Sequence, residues 1–236
     1  MPKAPKMQPQ STRFRGFSPA AFQFFTELDA HQTREWFHAN KARYEDLVLE
    51  PLAQLLESLT SAFAVHDLPL VADPKTSVFR INRDVRFSKD KRPYKAHASA
   101  VLTRDGTKHS QGLVYLQLGP DECFVAAGFY ALEPEPLGAF RDHILRHPDR
   151  WRAVVAALHR NGQRLVREDA LVRLPRGYTA DQVGELGEDI RLKSFIVSMP
   201  LETGTVTSEA LVEVIVKFAL DSRPLLEFGW SALTSR

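Results

Sequence analysis

The chain has 236 residues, 44% hydrophobic and 25% charged, with a formal net charge of +2: ordinary globular composition and ample length for a core. So small a net charge argues against a dedicated duplex-DNA binder, for which an isoelectric point above about 9 is expected. A single cysteine, Cys123, rules out a disulfide framework within the chain, and no apolar run approaches the roughly 18 residues of a membrane span.

Residues 1–13 are polar and carry Pro2, Pro5 and Pro9. A disordered tail is expected there rather than a signal peptide, with 14–236 as one domain. The lone cysteine fits a reducing compartment, so the expected location is the cytoplasm. Phe14 and Phe17 are expected to dock on the body. Ser18-Pro19 sets a hydroxyl N-cap before a proline at the first helical position, and predicts a helix bearing Phe22, Phe25 and Leu28. A second helical stripe starts at Thr33 and runs from Trp36 to Leu59, bent near Pro51.

Strands follow. Val78–Phe87 and Tyr94–Leu102 are expected as strands, then Asp105-Gly106 as a turn. Gly112–Leu118 and Cys123–Leu132 are further strands around the turn Gly119-Pro120-Asp121-Glu122. Helices return with Leu137, Phe140, Ile144 and Leu145 on one face, then Trp151, Val154, Val155 and Leu158. Residues 161–190 read as irregular, Phe195–Val197 as a strand, and Ser208–Leu220 and Pro224–Leu233 as closing helices. The expected fold class is α+β: a central antiparallel meander sheet packed against N-terminal and C-terminal helices.

Charge is concentrated in FRINRDVRFSKDKRPYK, residues 79–95. Arg80, Arg83, Arg86, Lys89, Lys91, Arg92 and Lys95 face only two acids, Asp84 and Asp90. Strand alternation puts Phe79, Ile81, Val85 and Phe87 on a core face, and Arg83 with them. An inward arginine needs a carboxylate, a carbonyl or a bound anion. Basic side chains around a proline-stiffened loop suit phosphate or carboxylate oxygens, and Tyr94 or Trp36 offers a stacking face. An internal ion-pair network would produce the same sequence.

Three readings follow. The first is a binding module for an anionic, phosphate-bearing ligand, a nucleotide or nucleic acid, held by Arg80, Arg83, Arg86, Lys89, Lys91 and Lys95. The second is an enzyme on a phosphorylated or carboxylated substrate, with Asp84 and His97 doing proton or metal work in one shared pocket. The third is a structural or interaction protein whose motif is a buried ion network. An anionic small molecule or nucleic acid is the expected partner, a membrane is not, and no motif calls for a cofactor or a metal. His143 and His147 have the spacing of a shared metal pair but read better as a solvated pair at a helix end. Ser88 opens an S-x-x-K pattern that Pro93 interrupts, and Cys123 reads as an inert thiol in an apolar strand.

The same motif, followed by GLVYLQLGPDECFVAAGFY, resembles the DUF2461 family of conserved proteins. REWFHANKARYE and the late RGYTADQVGELGEDIRLKSFIVS extend the resemblance over roughly residues 14–233. It implies Trp36, Asn40, Tyr44, Arg80, Arg83, Asp84, Arg86, Phe87, Lys89, Pro93, Tyr94, Lys95, Gly128, Tyr130 and Lys193 as family positions. Gly112-Leu113-Val114 stands where the family has Pro-Gly-Tyr, and Ala127-Gly128 where it has a glycine pair. The resemblance implies no reaction.

Overall fold

Along Leu113–Leu118, Val114, Leu116 and Leu118 are buried while Leu113, Tyr115 and Gln117 are only partly so. That two-residue period belongs to a strand with one face on a core and the other open. In the computed structural model, which describes residues 13–234, this strand (β2) lies between β1 (Ala98–Leu102) and β3 (Cys123–Phe129). With β4 (Phe195–Pro200) they form an antiparallel sheet in the order β1-β2-β3-β4. Ala100 sits opposite Leu116, and Leu116 opposite Val125, so the core residues of neighbouring strands stack in one layer. The fold is α+β with a meander sheet. The tail expected over residues 1–13 falls almost wholly outside the described residues.

Helices cover the core face. α1 (Pro19–Ala30) and α2 (Arg34–Ala39) precede a long helical run of α3 (Lys41–Tyr44), a π turn (Glu45–Leu49) and α4 (Glu50–Val65). Pro51 accounts for the π turn: it has no N–H for the Leu47 carbonyl and its ring crowds that oxygen, so the run widens there. A short α5 (Pro74–Ser77) leads towards the sheet. After it come α6 (Pro134–Arg146), α7 (Pro148–Arg160), the short α8 (Ala180–Val183), α9 (Gly187–Ile190) and α10 (Thr203–Val206), then α11 (Ala210–Asp221) and α12 (Arg223–Thr234). α11 packs on α4, while α12 lies on β3 and against α6 and α7. Gly229 of α12 meets the Phe129 ring where a Cβ would not fit. Phe14 and Phe17 are buried in the same hydrophobic cluster. Among the described residues no helix is long and apolar enough to cross a membrane.

Several expected elements are different in the structure. Val78–Phe87 is not a strand. Only single bridges, Val78 to Ala100 and Asn82 to Tyr94, tie it to its neighbours, and β1 begins at Ala98 rather than Tyr94. The cause is local: Asp84 accepts from the Arg86 backbone N–H and Asp90 from that of Arg92, turning the chain where a ladder would need it straight. Pro93 removes one more donor. Of the four residues expected on the core face, Ile81 is buried, Val85 is only partly so, Phe87 is 95% exposed, and Phe79 lies with the outward residues of β2 instead. β3 stops at Phe129, because Ala131 takes a positive φ of 45° and its N–H is held by the Ser194 hydroxyl. The stretch read as irregular contains α8, whose start carries a capping box of Thr179 and Gln182 that was legible as T-x-x-Q.

Candidate functional site

Arg83, Arg86 and Arg92, three of the seven cations of the basic motif, are paired by the protein's own aspartates. Arg83 pairs with Asp90. Asp90 also accepts from Arg92 Nη2 at 2.9 Å, and Arg92 Nη1 reaches Asp29 at the end of α1 at 2.6 Å. The Arg92 hydrogen bonds, and then the Arg83 one, hold the Asp90 carboxyl well below the usual carboxylate range. Arg86 grips Asp84 through Nη2 at 2.7 Å and Nε at 3.0 Å, which lowers that carboxyl too. Lys91 Nζ donates to the Val85 carbonyl at 2.9 Å. The Gln32 amide pairs with the backbone of Tyr94 on both sides, accepting from its N–H at 3.0 Å and donating to its C=O at 3.3 Å. The Tyr94 ring is 4% exposed and lies 4.6 Å from that of Phe37, so both its faces belong to the core.

Among the described residues, Arg80, Lys89, Lys91 and Lys95 of the motif and Lys108 beyond it form no ion pair. Lys95 and Lys108 meet. Lys95 Nζ and Lys108 Nζ each lie 5.4 Å from the centre of the Phe79 ring. A π face holds an ammonium without neutralising it, so this corner keeps its positive charge. Burial, then the charges of Lys108, Arg80 and Arg83, lowers the Lys95 pKa. The backbone explains the meeting. Phe79 N–H bonds the Ser99 carbonyl at 2.9 Å and Lys95 N–H the Ile81 carbonyl at 2.8 Å, which fixes both beside β1. The β1–β2 loop carries Lys108. It is folded back on α5 by the Thr76 and Ser77 hydroxyls, each donating to the Gly106 carbonyl at 2.9 Å.

The corner opens onto a groove of about 610 Å³ along the outer face of the sheet. Its floor is a row of rings. Phe79 and Tyr115 have centres 6.1 Å apart, Tyr115 and Phe124 5.6 Å. The Tyr115 hydroxyl donates to Gln117 Oε1 at 3.1 Å, and burial raises its pKa. Lys95, Lys108 and His109 line the groove, and among the described residues no aspartate or glutamate does. Glu122 is near enough to bear on the Tyr115 phenol. Tyr130, 67% exposed, closes the far side with Ile196 of β4.

The other expected residues are scattered. Lys89 is exposed on the loop. Trp36 stacks on His31 at 5.5 Å and leans on Phe24. Asn40 bonds the Trp36 carbonyl and Arg43. Lys193 is exposed at the entry to β4. None of these four lines the groove. Neither Asp84 nor His97 lines the groove: Asp84 is engaged by Arg86, and burial, then the charges of Lys95 and Arg83, lower the His97 pKa. His143 is not solvated. It is buried, its Nε2 lies 3.1 Å from the Ser231 hydroxyl, and its Nδ1 has no partner. Cys123 bonds the Gly119 carbonyl, and burial raises its pKa. Among the described residues no three His, Cys, Asp or Glu groups are placed to share a metal ion. Sequence reasoning missed Lys108, Tyr115, Gln117 and Phe124. The outward positions of β2 and its partner β3 were the available signal.

A family model described as conserved hypothetical protein (DUF2461) matches residues 20–228. No curated protein and no solved structure matches the chain.

Proposed function

Since the chain belongs to the DUF2461 family, whose description assigns no reaction, we propose its function from the sheet face: a binding module for a phosphate-bearing ligand, a nucleotide or nucleic acid. The ligand's anionic group sits at the Lys95–Lys108 corner and its planar part lies on the rings of the floor. One observation supports this above the rest. Two ammonium groups share the Phe79 ring at the mouth of an aromatic groove that no carboxylate lines. Bringing like charges together costs free energy that a bound anion returns. Tyr115 and Phe124 add stacking area, worth roughly 1–3 kcal/mol per base where aromatic side chains hold nucleic acid. Arg80 and Arg83 contribute field rather than contact, since both bear on Lys95. The Arg83–Asp90–Arg92–Asp29 chain serves as the brace that ties the loop to α1.

The test is equilibrium binding of a nucleotide panel and a single-stranded oligonucleotide at about 50 mM salt, where phosphate contacts are strong. Lys95→Ala and Lys108→Ala should each weaken binding by roughly ten-fold, about the loss of one charge-assisted contact. Arg86→Ala should change it by less than about two-fold, because Asp84 already neutralises that guanidinium. Equal losses in all three variants would return the site to the arginine loop.

A further inference from the structure

We infer that the groove takes a small molecule with one phosphate group and one planar heterocycle, a nucleoside monophosphate being the type, rather than a polynucleotide. The inference rests on the reading of the groove given above. Its support is the distribution of charge. Lys95 and Lys108 both stand at the β1 edge, over Phe79. From there the lining continues through Tyr115 and Phe124 to Tyr130 and Ile196 with no further lysine or arginine among the described residues. A polynucleotide places a phosphate at every step, and grooves that hold one track its backbone with cations along their length. A ligand with a single anionic end needs its cations in one corner, which is the arrangement here.

The dimensions agree. Four strands at about 4.8 Å per step make a floor roughly 14 Å across. The Phe79 ring is a single step of 6.1 Å from Tyr115, and Phe124 is 5.6 Å beyond that. A phosphate held at the Phe79 corner leaves its heterocycle over Tyr115 and Phe124, with a sugar bridging the step between. Gln117 is then the reader of the ring edge. Its Oε1 is occupied by the Tyr115 hydroxyl at 3.1 Å, and among the described residues its two amide N–H groups donate to no protein acceptor. They offer donors to a ring nitrogen or carbonyl oxygen. Gln117 faces Phe124 across the β2–β3 ladder, so donor and stacking surface come from one cross-strand pair.

The experiment titrates the protein with AMP, GMP, CMP and UMP, with the matching nucleosides, with ribose 5-phosphate, with inorganic phosphate, and with homopolymeric single strands of each base. At least one monophosphate should bind, roughly ten-fold or more tightly than either its nucleoside or ribose 5-phosphate, because both ends of the site are used. Lengthening it into a single strand should bring no gain. Gln117→Leu should reduce the preference among bases about five-fold or more while leaving ribose 5-phosphate within about two-fold. A single strand that binds ten-fold more tightly than every monophosphate, with a salt slope that grows by about 0.7 per added phosphate contact, would overturn the single-phosphate ligand. If Lys95→Ala/Lys108→Ala also abolished that binding, the groove reading would stand. Binding that survives the double variant, or no binding by any phosphate-bearing probe, would overturn both.

Discussion

The Lys95 ammonium lies 5.4 Å from the centre of the Phe79 ring, half out of water, with the Lys108 ammonium at the same distance from the same ring. Two cations are therefore held by one quadrupole and by no carboxylate. Lys95 should titrate below its usual 10.5, chiefly through burial and secondly through Lys108. Lys108→Ala should move the Lys95 titration upward, read from the side-chain Cε–Nζ resonances. Anion affinity should decline with rising pH through that lowered pKa, since only the charged form attracts phosphate. A Lys95 titration unmoved by Lys108→Ala would separate the two groups.

Arg83 and Asp90 form a partly exposed pair within one loop. Such pairs contribute little to global stability, about 0–1 kcal/mol. Arg83→Met should therefore fold, with a Tm within a few degrees of the parent, while amide exchange over residues 80–95 accelerates as the brace to Asp29 loosens. Loss of the folded state in Arg83→Met would make the network a structural keystone instead.

His143 is buried beside His147, with its Nδ1 unpartnered, and its pKa falls from the usual 6.5 to about 4, through burial first and His147 second. Between those two values the unfolded chain binds a proton that the folded one refuses. Stability must then rise with pH across the window: complete above about 6.5, lost progressively towards 4. The full effect is on the order of 3 kcal/mol. His143→Gln should flatten the pH dependence of urea unfolding between pH 4 and 6.5. An unchanged slope would assign it to other groups.

Gly128 joins β2, β3 and β4 at φ 129°, and a Cβ there would fall on the Phe195 carbonyl oxygen. Gly128→Ala should cost at least about 2 kcal/mol, through strain at a conformation closed to L side chains and a parted β3–β4 ladder. A Tm drop of several degrees or insoluble expression is the expected outcome. An unperturbed melt would mean that β4 shifts freely.

Particular residues show what the sequence could and could not tell. The meander was legible because Val114, Leu116 and Leu118 alternate with Tyr115 and Gln117, and because Gly119-Pro120 marks the turn. The starts of the first two helices were legible from Ser18-Pro19 and Thr33, although only the Thr33 hydroxyl makes a capping bond, and Pro51 marked the break that the π turn takes up. The charge cluster was visible as a concentration, but its pairing was not. Asp29 is 63 residues from Arg92, and the choice between Asp84 and Asp90 depends on turns that composition does not fix. Tyr94 read as a ligand-stacking ring, yet a partner in α2, Phe37, claims it. The groove was hidden for a simpler reason. Phe79, Lys95, Lys108, Tyr115 and Phe124 come from separate segments, and only the sheet register brings them to one face.

The most direct measurement of the central claim is a heteronuclear NMR titration of the labelled protein with the nucleoside monophosphates, following lysine Nζ and aromatic ring signals together. The groove account predicts saturable shifts at Lys95 and Lys108 and at the rings of Phe79, Tyr115 and Phe124, while Arg83, Arg86 and Arg92 hold still. Shifts confined to the arginine loop, or none at any residue of the sheet face, would contradict it.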